Sequence, residues 1–200
     1  MRFLFKLIIC LLLAAAAGIS ALAWRSGDPF YTLYEWISPA RFQQYDELIR
    51  AVAAPNDLDP MLVKAVVWRE SRFDPRKFGA AGERGLMQVS EIAAGEWATE
   101  TGRQNFHPEE LFDPKTNLEA GAWYLHRAML HWQSQDEAAP FALAEYNAGA
   151  SRAQRWAGGG DGKKKIAARE FQRNIDFPGT RKYVESILER YRFYQRRGRM

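Results

Sequence analysis

Two hundred residues, 47% of them apolar and 26% charged, fit one globular domain with a short appendage and exclude a disordered chain. The single cysteine, Cys10, excludes a disulfide framework, a zinc finger and an iron–sulfur site, and His107, His126 and His131 are too few and too scattered for a metal cluster. The formal charge is +4, unevenly spread: residues 24–162 carry 14 basic and 20 acidic side chains, residues 163–200 carry 12 basic and 4 acidic. An acidic body with a basic C-terminal end can attract an anionic polymer or lipid, or simply present a solvated helix face.

Residues 1–23 read as an export signal. Arg2 and Lys6 form a positive start, Leu7–Ala17 is an unbroken apolar run, and Ala21-Leu22-Ala23 gives a small-x-small cleavage pattern. The same stretch, residues 7–23, is about long enough to be an uncleaved inner-membrane anchor. Either way the chain from Trp24 onward is expected to work in the periplasm or cell envelope, away from cytoplasmic nucleic acid. Residues 24–44 form an aromatic-rich lead-in, with Asp28-Pro29 at its opening.

The rest reads as all-α, with no period-2 strand and no hairpin signal. Expected helices are Arg41–Ala54, stopped by Pro55; Pro60–Ser71, with Asp59 as N-cap; one from Ser90 to near Gly102; Asp113-Pro114 to about Trp132; and about Glu137–Asn147, stopped at Gly149. Gly158–Gly162 reads as a link, and Lys163–Ile175 and Thr180–Arg197 as the last two helices. Residues 76–89 form a loop punctuated by Gly79, Gly82 and Gly85.

Chemistry concentrates where the second of these helices meets that loop. Val63, Val66 and Val67 precede Glu70 by seven, four and three residues, so they share its face. A carboxyl leaving an apolar stripe is desolvated and stays protonated near neutral pH, as a general acid requires. The plain alternative is a helix-end Glu in solvent or paired with Lys64, Arg69 or Arg72. Gln88, polar within Leu86-Met87-Gln88-Val89, suits orienting an acid or holding a sugar amide or hydroxyl. Tyr146-Asn147 ends a further helix with a ring and an amide; Asn147 also suits a helix cap.

Four segments occur in order: Glu70-Ser71-Arg72-Phe73-Asp74-Pro75, Gly82-Glu83-Arg84-Gly85-Leu86-Met87-Gln88-Val89, Asn117 to Leu125, and Ala142-Leu143-Ala144-Glu145-Tyr146-Asn147-Ala148-Gly149. Residues 45–195 thereby resemble the catalytic domain of soluble lytic murein transglycosylases, a goose-lysozyme-like family that cleaves peptidoglycan. Phe177 to Val184 resembles that family's closing motif, and residues 196–200 remain as a basic tail. The resemblance implies an all-α lysozyme-like domain with a central cleft. It implies Glu70 as the catalytic acid, and Gln88, Tyr146 and Asn147 as substrate-binding residues. Asn117 and Tyr124 would lie on a helix supporting the cleft. It implies peptidoglycan glycan strands as substrate; the sequence carries no nucleotide loop, zinc spacing or calcium loop, so no cofactor and no metal are expected. The products would be 1,6-anhydro-muramic ends, one carboxyl serving as acid and then as base.

Three positions depart from the family pattern. Gly79 stands where a Ser is usual, Gly179 where a Glu is usual, and Glu83 where an Ala is usual. Glu83 leaves open a hydrolysing muramidase, with this second carboxylate positioning water about 6.5–9.5 Å from the first, or else a surface pair with Arg84. The lost Ser and Glu leave open an impaired peptidoglycan-binding module.

Overall fold

The computed structural model describes residues 2–24, 29–159 and 164–198. It divides into a unit over Met1–Gln44 and a unit over Tyr45–Met200. In the first, helix α1 (Arg2–Trp24) contains Leu4–Ala21, long and apolar enough to cross a bilayer. The aromatic-rich lead-in forms two helices, α2 (Pro29–Ile37) and α3 (Pro39–Gln43). Tyr34 meets Phe42 edge-on at 5.5 Å between ring centroids. Asp28, the linker residues 160–162 and Lys163, the first residue of the expected helix Lys163–Ile175, lie outside the described residues.

The second unit is helical, as expected; among the described residues the only extended pairing is two isolated bridges, Phe78 to Arg84 and Arg84 to Val89. Its helices are α4 (Asp46–Ala53), α5 (Pro60–Ser71), α6 (Glu91–Glu100), α7 (Pro114–His131), α8 (Ala138–Ala148), α9 (Ala150–Trp156), α10 (Ala168–Asn174) and α11 (Pro178–Arg197). Three N-termini follow the sequence directly. Asp59, Ser90 and Asp113 each accept a backbone N–H of the first turn, from Met61, Ala93 and Thr116.

Several boundaries differ from expectation. The single helix expected over Arg41–Ala54 is broken at Gln44–Tyr45 into α3 and α4. Helix α9 was not expected; it restarts at once after Gly149, whose φ of 88° turns the chain out of α8. Helix α10 covers only Ala168–Asn174 of the expected Lys163–Ile175, and α11 starts two residues early because Pro178 occupies its first position.

The core is built on two buried helices. Leu62 to Trp68 of α5 are all buried, and Phe141 to Ala144 of α8 are fully so. Helix α5 is therefore enclosed on every side rather than along one stripe. Helix α11 presents Tyr183, Val184, Ile187, Leu188 and Tyr194 to the interior at helical spacing and packs on both α5 and α8. Phe141 stacks on Phe171 at 4.0 Å and on Trp132 at 5.2 Å, tying α8 to α10 and to the end of α7. Such ring pairs contribute about 0.5–1.5 kcal/mol each beyond area burial. Lys64, inside this core, pairs with Asp46 of α4 at 2.7 Å.

Candidate active site

Helix α5 ends in an unusual way. Arg72 and Phe73 both take left-handed backbone angles, φ 56° and 62°, although neither is glycine. Each such residue costs on the order of 1–3 kcal/mol and persists only where its surroundings enforce it. Here Phe73 is buried and the Arg72 guanidinium lies 3.8 Å from the Trp68 ring centroid. The double turn lets the 74–89 loop fold back beside the last turn of α5, where Glu70 sits.

The loop is held by its own bonds and by α7. Gly85 N–H donates to Lys77 O at 2.9 Å, and Arg84 and Val89 exchange backbone hydrogen bonds at 3.0 Å. Asn117 of α7, fully buried, accepts from Met87 N–H at 2.7 Å and donates to Arg84 O at 2.7 Å and Leu111 O at 2.9 Å. Gly85 has φ 76°, and a Cβ there would lie 2.3 Å from the Asn117 amide nitrogen, so only glycine admits this strut.

The loop and four helices, α5 to α8, line a cleft of about 500 Å³, onto which Glu70, Glu83, Gln88, Tyr124, Tyr146 and Asn147 all open. Residues as much as 77 positions apart in sequence thus meet at one place. Among the described residues no group of three His, Cys, Asp or Glu side chains could hold a metal ion.

Glu70 Oε1 accepts a 2.7 Å hydrogen bond from the Tyr183 hydroxyl of α11. Burial pushes the Glu70 carboxyl up from 4.5 to about 7; the Tyr183 bond and the charges of Arg69 and Lys77 pull it down, and Glu83 pushes it up. The basic side chains that could have tied it up in an ion pair are placed otherwise. Lys64 pairs with Asp46, the Arg69 guanidinium lies 5.6 Å from the Tyr183 ring, Arg72 lies on Trp68, and Lys77 Nζ donates to the Glu70 backbone carbonyl. A carboxyl that titrates near neutrality and is held by a hydroxyl can give a proton to a leaving oxygen and later take one back. Tyr183 and Tyr146 are both raised well above 10, chiefly by burial and then by Glu70, so both remain hydroxyl donors.

The other expected residues take distinct parts. Gln88, at φ 48°, spends its Nε2 hydrogens on Lys77 O (3.0 Å) and Gly85 O (3.1 Å) and so does not orient the acid. Tyr146 donates to Met87 O at 3.0 Å, and Tyr124 braces it edge-on at 5.7 Å. Asn147 is exposed and is not the end of its helix, which runs to Ala148; its Oδ1 accepts from Thr180 Oγ1 at 2.7 Å. Glu83 does not pair with Arg84. It accepts the Ala81 N–H at 3.1 Å, while Arg84 donates to Gly82 O and approaches Glu91 and Glu109 at 3.8 and 3.9 Å.

Tyr183 is the residue that sequence reasoning passed over. It lies 113 positions from Glu70, and its only signal is a place in the closing motif at core spacing on α11. Tyr183→Phe removes the bond that favours the ionised acid. Its alkaline rate limb is expected to move to higher pH. The rate should fall about tenfold or more, a hydrogen bond to a charged group being worth about 1.5–3 kcal/mol. A pH–rate profile that superimposes on the parent's would remove Tyr183 from this role.

Residues 47–168 match the Transglycosylase SLT domain family. The soluble lytic murein transglycosylase of Salmonella typhimurium is 29% identical over 152 residues, covering 76% of this chain and 23% of that protein. Membrane-bound lytic murein transglycosylase F of Desulfosudis oleivorans is 32% identical over 114 residues, covering 54% of this chain and 23% of that protein. The crystal structure of the 70 kDa soluble lytic transglycosylase of Escherichia coli superposes with a TM-score of 0.69 at 26% identity, over 77% of this chain and 24% of that one. The complex of the 70 kDa soluble lytic transglycosylase with bulgecin A gives a TM-score of 0.72 at 25% identity, over 84% and 26%. The chain spans about a quarter of the length of these relatives. With its helical fold and its ordered motifs, it belongs to the transglycosylase SLT domain family.

Proposed function

We propose that the protein is a peptidoglycan lytic transglycosylase that cleaves the β-1,4 bond between N-acetylmuramic acid and N-acetylglucosamine. The observation that carries this reading is Glu70: one carboxyl, raised to about 7 and hydrogen-bonded to Tyr183, at a cleft. Its protonated form gives a proton to the glycosidic oxygen as the C1–O bond breaks. The muramic acetamido oxygen covers the anomeric carbon. Glu70, now a carboxylate, takes the C6 hydroxyl proton, and O6 closes on C1 to expel the acetamido oxygen. No water enters, and Glu70 ends protonated as it began.

Gln88, Tyr146 and Asn147 bind substrate in this scheme. Asn147 Nδ2 has no partner among the described residues and is available as a donor. Residues 45–195 form the catalytic domain, residues 24–44 its lead-in, and residues 196–200 a basic tail, of which Arg199 and Met200 lie outside the described residues. Residues 1–23 serve as signal or inner-membrane anchor and place the enzyme in the cell envelope. The basic residues of 163–200, among them exposed Arg192, Arg196 and Arg197 on α11, suit contact with anionic wall polymer or lipid head groups. Loss of sacculus binding at high salt is the measure of that contact.

Mass spectrometry of digested sacculi tests the reaction itself. Anhydro-muropeptides, one water lighter than hydrolytic products, are expected. Products carrying the extra water would instead establish hydrolysis, and no products at all would leave only a binding module.

A further inference from the structure

Gly79 lies in the cleft wall where Glu83 and Gln88 also open. A Cβ at position 79 would stand 2.2 Å from Glu83 Oε2 and 2.9 Å from Gln88 Oε1. Two oxygens from separate side chains therefore converge on the space that any larger residue would fill. Both are acceptors. The Gln88 amide is fixed with its nitrogen on two backbone carbonyls, which turns its oxygen to Gly79. Glu83 Oε2 takes one bond, from Ala81 N–H, and a carboxylate offers about four acceptor positions. The nearest bases in sequence have other partners: Lys77 the Glu70 carbonyl, and Arg84 the Gly82 carbonyl, its acidic neighbours and the Phe78 ring, 5.3 Å from its guanidinium. Two adjoining acceptors with no donor between them among the described residues repel each other, and a donor supplied from outside completes them.

The surroundings suit a sugar as the source of that donor. Phe78, also on the cleft, is 61% exposed, with Phe112 stacked on it at 6.5 Å. A flat ring beside two acceptors matches the C–H face and the polar edge of a pyranose.

We infer that Glu83 Oε2 and Gln88 Oε1, brought together over the bare Gly79, form a twin-acceptor subsite that binds a hydrogen-bond donor of the glycan strand, a sugar hydroxyl or an acetamido N–H. The inference rests on the glycan-cleaving reading of this cleft. It assigns Glu83 to substrate binding rather than to activating water. It also accounts for two departures from the family pattern together: a carboxylate at 83 occupies the room that a side chain at 79 would need.

The test is a double-mutant cycle in the Glu70→Gln protein, which holds substrate without turning it over. The probe is a tetrasaccharide of alternating N-acetylglucosamine and N-acetylmuramic acid, with affinity read by calorimetry. Glu83→Ala is expected to weaken binding about tenfold, the worth of one charge-assisted hydrogen bond. Gly79→Ala is expected to weaken it by a similar factor, because its methyl displaces the flexible end of Glu83 with the backbone left in place. In the Glu83→Ala background, Gly79→Ala should cost clearly less than it does alone, since the Glu83 contact is already gone and only the methyl's 2.9 Å approach to Gln88 Oε1 remains. Unchanged affinity in Glu83→Ala, or full additivity of the two losses, overturns the subsite. Failure of the glycan-cleaving reading shows separately, as the absence of anhydro products from the wild-type protein.

Discussion

Glu70→Gln is expected to lower kcat on the order of a thousandfold or more while leaving glycan binding in place, general acid catalysis contributing about 10²–10⁴ and the base step being lost with it. The side chains differ by one atom, so the cleft keeps its shape. The wild-type rate should fall as pH rises through about 7, where the proton-giving form of Glu70 disappears. The same group leaves a mark on stability. Burial raises the folded-state value above the ordinary 4.5, so the native chain holds this proton more tightly than the unfolded one. The resulting stability is fully present below about 4.5 and is lost as pH rises through about 7. The amide that replaces the carboxyl in the variant has no proton to lose. Glu70→Gln should therefore match the wild type near pH 4 and exceed it at pH 8 by an amount on the order of 3 kcal/mol, or several degrees in Tm. Thermal melts of both proteins across that range supply the check. Retained turnover in the variant, or a Tm difference that stays flat with pH, would refute the assignment.

Much of this is readable from local signals. Asp59-Pro60 and Asp113-Pro114 announce helix starts because an acidic cap and a proline at the first position meet the same backbone need. Glu70 is legible because the valines at 63, 66 and 67 fix its face. Other features lie beyond such signals. Nothing in residues 41–54 before Pro55 marks the break at Gln44–Tyr45. The lysine run at 163–165 has helix propensity, yet α10 begins only at Ala168. Gln88 could orient an acid or face a sugar from sequence alone; a left-handed backbone and two carbonyl acceptors decide which way its amide lies. The partner of Glu70 is hidden for a different reason. A tyrosine at core spacing on the last helix has no local mark that its hydroxyl, rather than its ring, is what the site uses. Glu83 and Arg84 look like an ion pair because neighbours in sequence are the default partners, while the loop's curl turns the two side chains to different groups.

Asn117 should prove to be the structural keystone of the cleft. It touches no reacting atom, yet its one amide satisfies three backbone groups: Met87 N–H, Arg84 O and Leu111 O. All three bonds reach the loops packed on α7, one donating and two accepting on the loop side. Asn117→Ala removes both kinds of partner at once, and an unpaired buried backbone group costs about 1–3 kcal/mol. Since one relaxation can serve more than one orphan, the combined loss should be on the order of 3–5 kcal/mol, and Tm should drop by about 10 °C. KM should rise as well, because the 76–89 loop that carries Gln88 and Glu83 loses its hold on α7. Asn117→Asp keeps the acceptor for Met87 N–H but sets a buried carboxyl oxygen against the Arg84 and Leu111 carbonyls, so it should be destabilised at least as much as alanine. Hydrogen exchange separates this account from a general loss of packing. The Met87 amide should exchange faster in Asn117→Ala but stay protected in Asn117→Asp, whereas an amide inside α8 should change only with global stability. Equal protection of Met87 in both variants, or a Tm within a degree of the wild type, would mean that the loop is held by its own turns and by the Tyr146 bond to Met87 O rather than by this strut.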